Sequence, residues 1–342
     1  MQRVEVGGPP RILFCAVRAR VVVAKLRQTV TKSDATLELN HVRPVQHPAA
    51  MKRLVAILLL LTLPAAADFQ DGVDAFDRGD FATALKEWRP LAEEGYPSAQ
   101  LDLGSMYFNG QGVPQDYAEA VKWFRLAAEQ GDASAQLNLG IMYEKGLGVP
   151  QDYAEAMKWY RLAAEQGNVA AQDRLAYGYL AGLGVPQDNA QAEKWYRLAA
   201  EQGNVDAQYH LGIMLYIGLG ISERKWFQLA AEQGHADAQS QLGDMYFKGH
   251  GGPQDYIEAI KWFQLAAVQG HAEAQYKLGL VYGTGTGVPL DYVLSYMWFN
   301  LAAANGKEDA GLIRAEVADM MTPSQIEEAQ RLAREWLEAH PQ

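Results

Sequence analysis

Ser222 and Lys225 stand about one helical turn apart in the stretch Ser-Glu-Arg-Lys. A serine hydroxyl with a lysine amine three residues on is the pattern of penicillin-recognising serine hydrolases, where the amine takes the hydroxyl proton as the oxygen attacks a carbonyl. That chemistry also calls for Lys-Thr-Gly and Ser-Asp-Asn segments, and neither occurs in the chain. Histidine offers a second possibility, because seven are present. No His-Glu-x-x-His and no cysteine pair accompanies them, and the single cysteine is Cys15. A zinc site needs three or four such ligands converging. Gly-x-Gly turns such as Gly146 to Gly148 offer a third possibility, since glycine-rich loops cradle phosphate. Phosphate loops follow a strand and open a helix, whereas these turns precede a proline and an aspartate that would repel the anion. None of the three supplies a complete set of catalytic, metal-binding or cofactor-binding residues, so the chain reads as no enzyme, with no cofactor and no metal.

The elements around these residues repeat. Trp88, Trp123, Trp159, Trp195, Trp226, Trp262 and Trp298 are spaced by 35, 36, 36, 31, 36 and 36 residues, with Trp88 marking a degenerate first copy. A period of this length fits a unit of two helices and two turns. Helix A follows an aspartate N-cap, with Asp116/Glu119, Asp152/Glu155, Asp188/Gln191 and Asp255/Glu258 spaced as capping boxes. Tyr117, Ala120, Val121, Phe124, Ala127 and Ala128 keep the helical rhythm of a buried face, and Trp123 and Leu126 make a second apolar stripe. Helix B opens at Asp132, Asn168, Asn204, His235 or His271 and carries a small residue at its middle: Gly104, Gly140, Ala176, Gly212, Gly243 or Gly279. A mid-helix glycine costs about 1 kcal/mol against alanine, so its recurrence predicts close backbone approach to helix A. In the 31-residue copy five residues are missing before Trp226, which predicts a helix A shorter by up to ~7.5 Å.

These words, above all "DASAQLNLGIMYEKGLGVPQDYAEAMKWYRLAAEQG" from Asp132 to Gly167, closely resemble the Sel-1-like repeat, a relative of the tetratricopeptide repeat. The resemblance covers roughly residues 80–307, and "MTPSQIEEAQRLAREW" from Met321 is similar to the C-terminal helix of bacterial members. It implies an all-α fold: a right-handed α-solenoid of about seven two-helix repeats over residues 68–320, closed by a capping helix over 321–342. It also implies a scaffold that binds proteins, without naming the partner.

Residues 51–67 read differently. Lys52 and Arg53, a short apolar run from Leu54 to Leu63, and Ala65-x-Ala67 have the layout of a secretory signal peptide cleaved after Ala67. The run falls short of the ~20 residues of a membrane span, so no stable membrane insertion is expected after cleavage. A signal peptide works at an N-terminus, so residues 1–50 read as an upstream extension that is not native, or as disordered. The expected location is periplasmic or secreted. Residues 1–67 carry ten basic and three acidic side chains, so removing their +7 from the chain's −11 leaves −18. Such a charge excludes nucleic acid and favours basic or neutral partners.

Positions that change between copies are released from packing. One slot on helix B holds Asp102, Asn138, Arg174, His210, Gln241 and Lys277, no two alike. These are the candidate partner-binding residues, unless the slot simply faces solvent. Charge reversal at Arg174 and Lys277 is then expected to leave stability nearly unchanged, as at most surface sites. If helix A lines the binding face, as in the related repeats, Lys122, Arg125, Lys158 and Arg161 form the alternative ridge. The function expected is a protein–protein interaction scaffold in the cell envelope or outside it. The alternatives are a protein that binds cell wall, peptidoglycan or exopolysaccharide, and a penicillin-recognising, β-lactamase-like hydrolase.

Overall fold

The computed structural model describes residues 68–218 and 224–340. The expected signal peptide, the upstream extension, Cys15 and Ser222 lie outside the described residues. Among those described are sixteen helices and no strand. Helices α1 (Phe69–Asp77), α2 (Phe81–Glu93) and α3 (Pro97–Asn109) belong to one compact unit that ends at residue 115. The second unit, residues 116–342, holds α4 (Tyr117–Glu129), α5 (Ala133–Lys145), α6 (Tyr153–Glu165), α7 (Val169–Ala181), α8 (Asn189–Glu201), α9 (Val205–Gly218) and α10 (Arg224–Glu232). It continues with α11 (Ala236–Lys248), α12 (Tyr256–Val268), α13 (Ala272–Thr284), α14 (Tyr292–Ala304), α15 (Glu308–Ala318) and α16 (Pro323–Ala339). Successive helix pairs pack as solenoid repeats, with the closest packing at α5 on α6, α7 on α8, α11 on α12 and α13 on α14, each a helix B with the helix A that follows it.

Each start and stop has a local cause. The Asp116, Asp152, Asp188 and Asp255 carboxylates accept the backbone N–H of the third helical residue. The expected reciprocal bond of a capping box is not what the glutamates make. Glu119, Glu155 and Glu258 instead meet Lys122, Lys158 and Lys261. The reason is that the N-cap's own N–H is already used: Asp152 donates to the Tyr143 carbonyl and Asp255 to that of Tyr246. A complete capping box does form at Thr322 and Gln325, opening α16. Helix B ends on a left-handed glycine such as Gly146, φ 68°.

The small residue inside helix B is met chiefly by an aromatic ring of the following helix A, with backbone also near at Gly243, where a Cβ would lie 3.2 Å from the Ala259 carbonyl oxygen. A Cβ on Gly140 would stand 2.5 Å from Tyr160 Cε1, and one on Gly243 2.6 Å from Phe263 Cε1. Backbone comes closer still at the second turn glycine: a Cβ on Gly148 would sit 2.4 Å from the Tyr117 carbonyl carbon.

That ring position also corrects the first copy. Trp88 presses on Gly72, where a Cβ would meet its Nε1 at 2.3 Å, just as Tyr160 presses on Gly140. Arg89 then donates to the Tyr107 hydroxyl as Arg125 does to that of Tyr143. Trp88 therefore matches Phe124, not Trp123, and the odd spacing of 35 is the trace of this shift.

A buried glutamine ladder, which leaves no local sequence pattern, ties the copies together. Gln136, Gln172, Gln208 and Gln239, buried on helix B, each donate to a carbonyl near the end of the preceding helix A. Each side-chain oxygen accepts from the next copy's Gln166, Gln202, Gln233 or Gln269 at 2.8–2.9 Å. The helix-end carbonyl and both carboxamides are thereby engaged, which burial requires.

Helix α10 is described over Arg224–Glu232, and the stretch before it, where the sequence predicts the shortening, lies outside the described residues. At the other end, α16 packs directly on α14, and Trp336 meets Trp298 edge-on at 4.8 Å.

Candidate partner-binding site

The helix-B slot is half-buried and largely spent inside the molecule. Arg174 reaches back one copy to Glu144 at 3.1 Å, and the Tyr160 hydroxyl donates to the same carboxylate. Burial pushes that hydroxyl well above its ordinary value, and the Glu144 charge adds to the effect. Burial alone would lower the Arg174 guanidinium; Tyr160, Glu144 and Asp173 raise it. Lys277 likewise reaches back to Asp244 at 3.3 Å, Asn138 is buried, and Asp102 and Gln241 are half-buried. At two of these positions, Arg174 and Lys277, the cation answers a carboxylate of the copy before it. Arg174 and Lys277 are therefore not the free surface charges that the sequence suggests.

His210 is the loose member. Its Nδ1 lies 3.8 Å from Asp173 Oδ1, too far for a hydrogen bond. Both atoms, with the Tyr196 hydroxyl nearby, lack a partner among the described residues. His235 and His271 cap their helices as expected: each Nδ1 accepts a backbone N–H, so the proton sits on Nε2. His271 Nε2 donates it to Asp237 at 2.9 Å. That hydrogen bond holds the Asp237 carboxyl below its ordinary value, against the opposing effect of burial. Among the described residues no group of three or more His, Cys, Asp or Glu could hold a metal ion. Lys225 of the Ser-x-x-Lys stretch lies 4.7 Å over the Trp226 ring, in the same relation as Lys122 to Trp123 and Lys194 to Trp195.

The helix-A ridge is the more accessible surface. Lys122 and Lys158 are exposed and pair with the neighbouring Glu119 and Glu155, Lys122 also lying over the Trp123 ring. Arg125 and Arg161 are held by the hydroxyls of Tyr143 and Tyr179 from the next helix B. Between the cations runs a row that the sequence placed inside. Leu126, Leu162, Leu198 and Leu265, at one position of four A helices, are 38%, 44%, 37% and 49% exposed. The turn of helix A that buries Trp123 leaves Leu126 on the outer side. In α14 the same position is Leu301, and it is 1% exposed. The ridge positions Glu258 and Lys261 become Leu294 and Met297 there, clustered with Leu301 and with Leu332, Ala333 and Trp336 of α16. The chain's own helix thus covers in the last copy what stands open in the inner ones.

The Sel1 repeat family model matches six segments, 97–132, 133–168, 169–204, 205–235, 236–271 and 272–307. The crystal structure of a Sel1 repeat protein from Oxalobacter formigenes is similar at 32% identity and a TM-score of 0.61, covering 69% of this chain and 97% of that one. That of c5321, a protective antigen present in uropathogenic Escherichia coli strains, displaying an SLR fold, is 30% identical with a TM-score of 0.37, covering 82% of this chain and 78% of that one. No curated protein matches the chain.

Proposed function

Since this chain belongs to the Sel1 repeat family, whose repeats generally mediate protein–protein interaction, we propose that it is a non-enzymatic adaptor of the cell envelope or its exterior. Its partner proteins are held on the helix-A ridge. The observation that carries the reading is the open row Leu126, Leu162, Leu198 and Leu265, set among Lys122, Arg125, Lys158 and Arg161. Apolar side chains ringed by charges make a surface that gains from being covered and still rejects poor fits. Export rests on the signal-peptide layout of residues 51–67. Binding, and not turnover, is the mode of action, because the repeated residues are occupied by caps, ring contacts and hydrogen bonds between copies.

The test places a photo-crosslinking amino acid at Leu162 on the ridge, and separately at Tyr177, which is 52% exposed on helix B. Discrete protein adducts from position 162 but not 177, formed in living cells, support the reading. Adducts from 177 alone move the binding face to helix B.

A further inference from the structure

The geometry points to the kind of partner this ridge takes: an amphipathic α-helix, laid across successive A helices with its apolar stripe on the leucine row. This rests on the ridge being the binding face. The occupant is read from the chain itself. Helix α16 lies against α14 with Ala329, Leu332, Ala333 and Trp336 on one side, the i, i+3, i+4, i+7 spacing of an amphipathic stripe. Beneath it are Met297, Trp298 and Leu301, at the positions that Lys261, Trp262 and Leu265 hold in the copy before. A helix packed against α14 is therefore continuous with the open row.

Helix α16, seventeen residues or about 25 Å long, sets the size of helix that this face holds at α14. The chemistry separates permanent from exchangeable cover. In α14 the ridge is wholly apolar at Leu294, Met297 and Leu301, and its helix is covalently attached. In the inner copies Glu119 and Lys122, or Glu155 and Lys158, flank one leucine each, so the row stays solvated when empty. A docking helix gains contact with the leucines while charges beside its stripe pair with these rows. An extended peptide would leave its backbone groups unpaired against side chains that offer no strand edge.

The probe is a fluorescent synthetic peptide of residues 321–340, added to the full-length protein and followed by anisotropy and far-ultraviolet circular dichroism. Saturable binding with a rise in helicity is expected. It should weaken about tenfold or more in Leu162→Glu/Leu198→Glu, and be absent for a scrambled peptide of equal composition that lacks the stripe. Lack of saturable binding overturns the proposal, as does binding unchanged by the two substitutions, which would mean exchange at α14 alone. Partner adducts at position 162 without peptide binding would reject the helical occupant and leave the protein-binding reading standing.

Discussion

The ring of Tyr160 lies on Gly140, so close that a Cβ at residue 140 would stand 2.5 Å from Cε1 and 2.6 Å from Cδ1. Glycine inside a helix costs about 1 kcal/mol against alanine, so propensity alone says that Gly140→Ala stabilises. The contact says the opposite, because a fully packed ring has no room to retreat. Gly140→Ala should lower the unfolding midpoint. Gly311, inside α15 with nothing within 4 Å of its Cβ position, is the control: Gly311→Ala should gain about 0.5–1 kcal/mol. Thermal denaturation of the two variants, read by circular dichroism, checks the opposite signs.

Arg174→Glu should destabilise the protein by about 1–2 kcal/mol, whereas a free surface charge would cost under ~0.5 kcal/mol. The new carboxylate would face Glu144 across the 3.1 Å contact that the guanidinium now fills. Exchanging the pair, as Glu144→Arg/Arg174→Glu, should recover part of the loss. Chemical denaturation of the two single variants and the double variant gives the coupling directly.

Acid should act partly through Asp237. Its folded value is depressed by the His271 hydrogen bond, so its contribution is present above the unfolded carboxylate range near ~3.9 and is lost as pH falls through the lower folded value. His235 and His210 add their charges from the neighbouring positions. The wild type should therefore lose more stability between about pH 5 and pH 2 than Asp237→Asn does. Unfolding midpoints of both proteins across that range test the sign.

Much of the fold was legible because the copies annotate one another. The Asp116, Asn168 and His235 caps, the turn glycines and the shortened copy could each be read from position alone. What stayed hidden depends on which side of a helix a neighbour covers. Leu126 keeps the spacing of an apolar stripe, yet only the placement of the neighbouring helices decides that Trp123 turns inward and Leu126 outward. Gln136 and Gln166 looked like ordinary polar residues, since a hydrogen bond across thirty positions leaves no local pattern. The helix-B slot misled for a related reason. Its two cations are paired, Arg174 with Glu144 and Lys277 with Asp244, and a pair is invisible until both partners are placed.

The central claim is that partner binding resides on the open leucine row of helix A, apart from the packing that holds the array. The direct measurement is partner recovery by in-cell crosslinking for Leu126→Glu/Leu162→Glu/Leu198→Glu against the wild type, with the unfolding midpoint of each purified protein as the companion readout. All three leucines are more than a third exposed, so each substitution should cost within about 0.5 kcal/mol. The account predicts recovery reduced about tenfold or more with the midpoint nearly unchanged. Undiminished recovery of the same partner by the folded triple variant would contradict it.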